Sequence, residues 1–302
     1  MYDIIIIGGG PAGLTAALYS ARGNKSVLVI EKETFGGQIT FSPKVENIPG
    51  FTALTGNEFA EKMVDQVLYQ GVEVESAEVL EIKSADGKKI VITDGGDFEA
   101  KAVIIATGAR HRLLGLPDEE RFIGNGISFC AVCDGAFYKD KVVGVVGGGN
   151  SALQEALLLA EQCKKVIVIQ NLDFLTGEKK LCDQLYARQN VEVILGTVVD
   201  GFIGDTDLKG AVVRKEATGD KTELLLDGLF IAIGLVPQNE KFASVIPLDE
   251  RGYADADESC RTPDPAVFVA GDCRKKNVRQ VTTAAADGAI AALAACRYID
   301  GN

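Results

Sequence analysis

Two strand–turn–helix units built on glycine leave this chain few folds to choose from. Ile4–Ile7 is an unbroken apolar β-branched run, the pattern of a strand buried on both faces of a parallel sheet. Gly8-Gly9-Gly10-Pro11-Ala12-Gly13 follows, then Leu14–Arg22 with helical character, then a second strand over Ser26–Ile30 that ends at Glu31. About 140 residues later the pattern returns. Val142–Val146 reads as a strand, Gly147-Gly148-Gly149-Asn150-Ser151-Ala152 as a turn, Leu153–Gln162 as a helix and Val166–Ile169 as a strand. Two such units in 302 residues predict an α/β chain with two doubly wound, nucleotide-binding-type domains. Ala266–Ala270 is a further apolar strand ending at Gly271-Asp272, and Val281–Tyr298 reads as an Ala-rich helix. Gly and Pro punctuate strand ends near His111–Gly115 and Gly234–Asn239, where domain joins are expected.

Gly8-x-Gly10-x-x-Gly13 sits between a strand and a helix, the context that makes this fingerprint specific. Its glycines allow a tight turn and a close approach of backbone to a pyrophosphate. The following helix N-terminus, from Pro11 and Ala12 onward, offers amide donors and a positive dipole end. Glu31, at the end of the second strand, is placed to accept from a ribose diol. A dinucleotide site is expected here.

Between the two fingerprints lies Cys130-Ala131-Val132-Cys133-Asp134-Gly135. Two thiols at this spacing can close and reopen a disulfide, and a helix start lowers a thiol pKa. The adjacent Asp134 can supply the proton that a leaving thiolate needs. The other five cysteines are scattered and read as small buried hydrophobes. One C-x-x-C and a single histidine, His111, do not make a four-ligand zinc site, so no metal is expected. The net charge of −12 argues against nucleic acid and anionic membrane surfaces as partners. Met1-Tyr2-Asp3 carries no basic leader before an apolar run of four residues. A membrane helix needs roughly 20, so a cytoplasmic protein is expected.

Taken together, Gly8–Gly13, Gly36-Gly37-Gln38, Val45-Glu46-Asn47-Ile48-Pro49-Gly50, Ala106-Thr107-Gly108, Cys130–Gly135, Gly147–Ala152 and Gly271-Asp272 with Arg279-Gln280-Val281 resemble the low-molecular-weight thioredoxin reductase family of flavoproteins. The resemblance covers essentially the whole chain. It implies two Rossmann-like domains, one inserted in the other: an FAD domain of residues 1–112 and 243–302, and an inserted domain, 113–242, that carries the dithiol. It implies that the first site holds FAD, lined by Gln38, Asn47, Asp272 and Gln280. It further implies a homodimer and a thioredoxin-like protein as substrate. Cys133 would face the flavin, Cys130 would attack the partner disulfide, and Asp134 would be the general acid. Where the family usually has Ala-Thr between the cysteines, this chain has Ala131-Val132.

At the second turn the resemblance breaks. Gly147-x-Gly149-x-x-Ala152 is retained, with Asn150 and Ser151 between. The family's next strand is followed by His-Arg-Arg and a further Arg, cations that hold the 2′-phosphate of NADPH. Here the stretch reads Gln170-Asn171-Leu172-Asp173-Phe174-Leu175-Thr176, with no basic residue. This argues against NADPH as donor. Three readings stay open: NADH, with Gln170 on a ribose diol; ferredoxin, docking on a basic patch such as Arg274-Lys275-Lys276; or NADPH held by side chains placed elsewhere. A flavin-dependent dithiol oxidase that passes electrons to oxygen shares the same motifs.

Overall fold

The structure is a computed structural model that describes residues 1–42, 44–85 and 87–301. The chain divides into two compact units, Met1–Arg110 with Val236–Asn302, and His111–Leu235. These crossings stand against the expected joins after residues 112 and 242.

The first unit begins with β1 (Tyr2–Ile7), α1 (Pro11–Arg22) and β2 (Val27–Glu31). Then come α2 (Gly56–Tyr69), β3 (Glu73–Ser76), β4 (Val79–Ala85), β5 (Lys88–Thr93) and the long β6 (Gly96–Ile105). α1 starts three residues earlier than its hydrophobic pattern suggests, because Pro11 at its first turn has the fixed φ a helix start needs and no amide to leave unpaired.

β7 (Ala109–His111) leads into the second unit. That unit holds α3 (Glu119–Phe122), β8 (Ile127–Ser128), α4 (Ala131–Asp134), β9 (Val142–Val146), α5 (Asn150–Ala160), β10 (Lys165–Ile169), α6 (Lys179–Tyr186) and β11 (Val191–Ile194). An antiparallel sheet of β12 (Thr197–Gly204), β13 (Leu208–Lys215) and β14 (Lys221–Leu225) follows, then β15 (Gly228–Ile231). The return strand β16 (Leu235–Pro237) pairs with β7 as a two-stranded ribbon. β17 (Val267–Val269) and α7 (Val281–Asp300) complete the first unit.

Each unit has its own core and its own main sheet, mixed in the first and parallel in the second. In the first, the described strands run β3-β2-β1-β6-β5-β4, with β17 also on β6. β6 serves two neighbours on one edge: Gly96–Ala100 pairs antiparallel with β5, and Val103–Ile105 parallel with β17. Ile4, Ile5 and Ile6 are fully buried because both faces are covered. One face packs under α1 and α7 through Leu14, Ala16, Ala17, Ala291 and Ala295. In the second unit the order is β11-β10-β9-β15-β8.

In both sheets the strand order reverses beside the first strand: β1 lies between β2 and β6, and β9 between β10 and β15. A doubly wound sheet opens its binding crevice at such a reversal, beyond the strand C-termini. The glycine turns stand at these two places.

Candidate active site

The first turn leaves β1 at Gly8, whose φ of +108° belongs to the region that side chains avoid. A Cβ there would also collide with the Ala106 carbonyl at the end of β6. Gly13 lets α1 sit directly on the turn, since a Cβ would collide with the Gly8 carbonyl. The Glu31 carboxylate accepts from the Gly9 amide at 2.7 Å and the Glu33 amide at 2.8 Å.

Other sequence-predicted residues gather around this turn. The Gly36 amide donates to the Gly9 carbonyl at 2.8 Å. Gly37 faces Gly10 so closely that a Cβ would lie 3.3 Å from the Gly10 Cα. Gly271 abuts Ala12, where a Cβ would lie 2.7 Å from the alanine methyl. Asn47 donates to Gln280 Oε1 at 3.3 Å. Val281, the first residue of α7, packs against Val45, Ile48 and Phe59 under the same loop. Arg279 lies over the Tyr253 ring at 4.2 Å and donates to the Asp272 carbonyl at 3.3 Å. Thr107 donates to Asn239 Oδ1 at 3.2 Å. Gln38 stays exposed in the turn Gly37–Phe41, and Gly108 lies partly open beyond β6.

The family resemblance implies a dinucleotide flavin here, and the site fits one. The glycine cradle is closed to side chains, and among the described residues Asp272 Oδ1 is buried with no hydrogen-bond partner. Burial pushes that carboxyl up, against the pull of Lys276 and Arg279. A buried acceptor without a donor awaits one from a ligand.

In the second unit Cys130 and Cys133 form a disulfide, with Cα atoms 5.3 Å apart. Cys130 is the N-cap of α4; its Sγ accepts from the Cys133 amide at 3.2 Å. Both cysteines are half-buried, while Val132 between them is 64% exposed. Ser128, which sequence reasoning missed, ties this loop together. Its hydroxyl donates to Asp134 Oδ2 at 2.6 Å and accepts from the Cys130 amide at 3.2 Å. Among the described residues the buried Asp134 Oδ1 has no partner, and burial raises this carboxyl despite the Ser128 bond. A carboxyl in that state keeps its proton at higher pH and can give it up to a thiolate.

The second glycine turn repeats the first. Gly147 has φ +132°, and the Gly148 carbonyl accepts from the Thr176 and Gly177 amides at 2.9 Å. Ala152 is fully buried at the position of Gly13, so α5 needs no glycine there. α5 starts at Asn150, whose side chain is held by the Glu178 amide at 2.7 Å, while Ser151 is exposed. Gln170, expected on a ribose diol, is instead 4% exposed, its amide over Gly148 and bonded to the Phe174 carbonyl at 3.3 Å. Leu172 and Phe174 are exposed on the segment that follows β10.

Other expectations resolve plainly. His111 stacks on Phe129 at 4.6 Å, and burial pushes its imidazole down to about 4, so it carries no charge at neutral pH. Arg274 and Lys276 do not form an open basic patch: their side chains are 3% and 6% exposed, turned in against Asp287. Cys163, Cys260 and Cys273 are buried; Cys182 and Cys296 are half-buried. No helix of the described residues is long and apolar enough to cross a membrane.

Glu155 on α5 was also missed. It lies one turn before Leu159, which meets Gly135 just beyond α4. Its buried Oε2 has no partner among the described residues, and burial pushes the carboxyl up to about 8. The unfolded chain loses this proton above about pH 4.3. The native state therefore holds more protons between that pH and about 8, and stability falls across this window. Glu155→Gln removes the penalty. The variant should match the wild type near pH 4 and exceed it at pH 8 by roughly 2–4 kcal/mol, after discounting for partial exposure. Thermal unfolding midpoints at the two pH values check this; a difference that does not grow with pH contradicts it.

Known proteins place this arrangement. Residues 2–288 match the pyridine nucleotide-disulphide oxidoreductase family. The chain is 41% identical over 99% of its length to a 34.2 kDa protein in the rubredoxin operon of Clostridium pasteurianum, covering 97% of that protein. It is 39% identical to the thioredoxin reductase of Listeria monocytogenes, over 99% of this chain and 94% of the relative. The crystal structure of thioredoxin reductase from Streptococcus pyogenes superposes with a TM-score of 0.95 at 40% identity, covering 100% of this chain and 99% of that one. With a matching family over nearly its whole length and close relatives end to end, the chain belongs to the pyridine nucleotide-disulphide oxidoreductases, in their low-molecular-weight thioredoxin reductase branch.

Proposed function

We propose that this thioredoxin-reductase-type oxidoreductase passes electrons through FAD and the Cys130–Cys133 pair to the disulfide of a thioredoxin-like protein, with a donor other than NADPH. The observation that carries the reading is the closed disulfide on α4 with the buried, unpartnered Asp134 carboxyl next to it. FAD held by Gly8–Gly13, Glu31, Asn47, Asp272 and Gln280 would supply a two-electron carrier that converts the disulfide to a dithiol.

The chain's own residues account for the rest. Reduced Cys130, half-buried at the N-cap of α4, attacks one sulfur of the partner disulfide. A mixed disulfide forms, and the departing partner thiolate takes the Asp134 proton. Ser128 fixes the direction in which Asp134 points. Cys133 then attacks Cys130 Sγ, the second partner thiol leaves, and the Cys130–Cys133 disulfide is restored. Each cycle thus moves two electrons and two protons to the partner.

The donor reading rests on the segment Gln170–Thr176. It has no cation for a 2′-phosphate and carries Asp173. The retained Gly147–Ala152 turn favours NADH over ferredoxin, and the burial of Arg274 and Lys276 removes the basic patch a ferredoxin was expected to use.

Asp134→Asn tests the proton step. It keeps the shape and the Ser128 contact but cannot release a proton, so thioredoxin reduction should fall by about 100-fold, within the usual range for general acid catalysis. Unchanged turnover would remove Asp134 from the mechanism. Rapid oxygen uptake with small dithiols, without thioredoxin reduction, would mark the protein as a dithiol oxidase instead.

A further inference from the structure

Beside the proposed flavin site lies a group of charges that the reaction does not use. Asp287 of α7 is 3% exposed in a helix otherwise lined by alanine. Its carboxylate accepts from Arg274 Nε at 2.8 Å, Arg274 Nη2 at 2.9 Å, Lys276 Nζ at 3.0 Å and the Gly271 amide at 3.1 Å. Removing such ions from water costs several kcal/mol each, so a cluster like this is weak evidence of stability for its own sake.

Its bonds fall on one place. Gly271 and Asp272 begin the short turn Gly271–Cys273, and Arg274 and Lys276 leave it. Arg274 alone satisfies Asp287 through two bonds. Lys276 is a second buried cation, and a half-buried carboxylate faces it: the buried Oδ1 of Asp272 lies 3.9 Å from Lys276 Nζ, beyond a hydrogen bond but well within electrostatic reach. The remaining charges around the cluster are less committed. Glu258 reaches Arg274 at 3.3 Å but is 88% exposed, Lys275 turns out toward Asp255, and Arg279 bonds carbonyls of the turn.

We propose that Arg274, Lys276 and Asp287 form a buried clamp that positions Asp272 for the flavin, with Lys276 keeping the free Asp272 oxygen available as an ionised acceptor. Arg274 and Asp287 fix the turn to α7, and Lys276 balances the charge. This rests on the reading of the first unit as an FAD site. Lys276 is thus a positioning residue, acting through Asp272.

The experiment measures FAD binding by the apoprotein, read from quenching of flavin fluorescence between pH 6 and 8. Lys276→Gln should weaken FAD by about tenfold at pH 7, the effect of roughly one lost charge-assisted contact. Lys276→Arg, which keeps the charge, should stay within about threefold on the same scale. Asp272→Asn should weaken FAD comparably, and adding Lys276→Gln to it should cost no further FAD affinity, because Lys276 acts on the flavin only through the Asp272 charge. Lys276→Met, of similar length and no charge, takes the place of the glutamine variant if that one does not fold. Wild-type affinity in the uncharged variants, or additive losses in the double variant, would overturn the clamp. A wild-type apoprotein that binds no FAD would overturn the flavin reading and the clamp with it.

Discussion

Replacing Cys133 with serine will reduce turnover of a thioredoxin-type disulfide by at least about 1000-fold, and replacing Cys130 will do the same, because residues acting as one unit cannot be lost separately. The two variants should nevertheless differ in what they accumulate. Cys130 caps α4, with the exposed Val132 after it, and its Sγ receives the Cys133 amide. A thiolate there is stabilised and open to attack a partner. In Cys133→Ser, Cys130 can still form the mixed disulfide, but no second thiol can resolve it. With a partner whose second cysteine is replaced by serine and whose first carries thionitrobenzoate as a mixed disulfide, Cys130 attacks the partner sulfur, thionitrobenzoate leaves, and the covalent complex should build up and survive on a non-reducing gel. Cys130→Ser should give none. The opposite pattern would exchange the two roles, and a complex with both variants would remove the distinction.

The parts of this molecule that were legible in the sequence are those written in consecutive residues. The isoleucine run before Gly8 and the valine run before Gly147 mark buried strands, and the following glycines mark turns that side chains cannot enter. The C-x-x-C and its acid carry their chemistry within five residues. Long-range partners were not legible. Ser128 and Asn239 look like ordinary loop residues, yet Ser128 orients Asp134, and Asn239, fully buried, bonds Thr107 and the Gly252 and Cys273 carbonyls. Arg274-Lys275-Lys276 reads as a solvated run. Asp287, more than ten residues away, draws the first and third side chains inward. The signal was that acid, set among alanines in the first half of α7, where a charge is too expensive to bury without cations. Glu155 was hidden for the opposite reason: a Glu in the middle of a helix is so common that nothing local announces its burial.

The second large effect concerns the donor. In anaerobic titrations of the holoenzyme, NADPH should bleach the flavin far more slowly than NADH at equal concentration. The 2′-phosphate is a dianion, and the stretch that would meet it offers Asn171, the exposed Leu172, Asp173 and Thr176. A charge-assisted hydrogen bond contributes about 1.5–3 kcal/mol, between tenfold and somewhat over a hundredfold in binding. Installing Asn171→Arg with Leu172→Arg should thus raise kcat/KM for NADPH by about 100-fold or more while leaving NADH nearly unchanged, since NADH has no phosphate for the new cations to hold. Both positions are exposed, so the substitutions disturb no core. The contrast is informative in either direction. Fast bleaching of the wild type by low NADPH would mean that cations from elsewhere in the chain reach the site. If neither nicotinamide donor works and reduced ferredoxin does, the Gly147 turn only packs α5 against β9. A gain with NADPH alone, from two residues on one loop, would show that the turn still binds a dinucleotide and that the loop chooses which one.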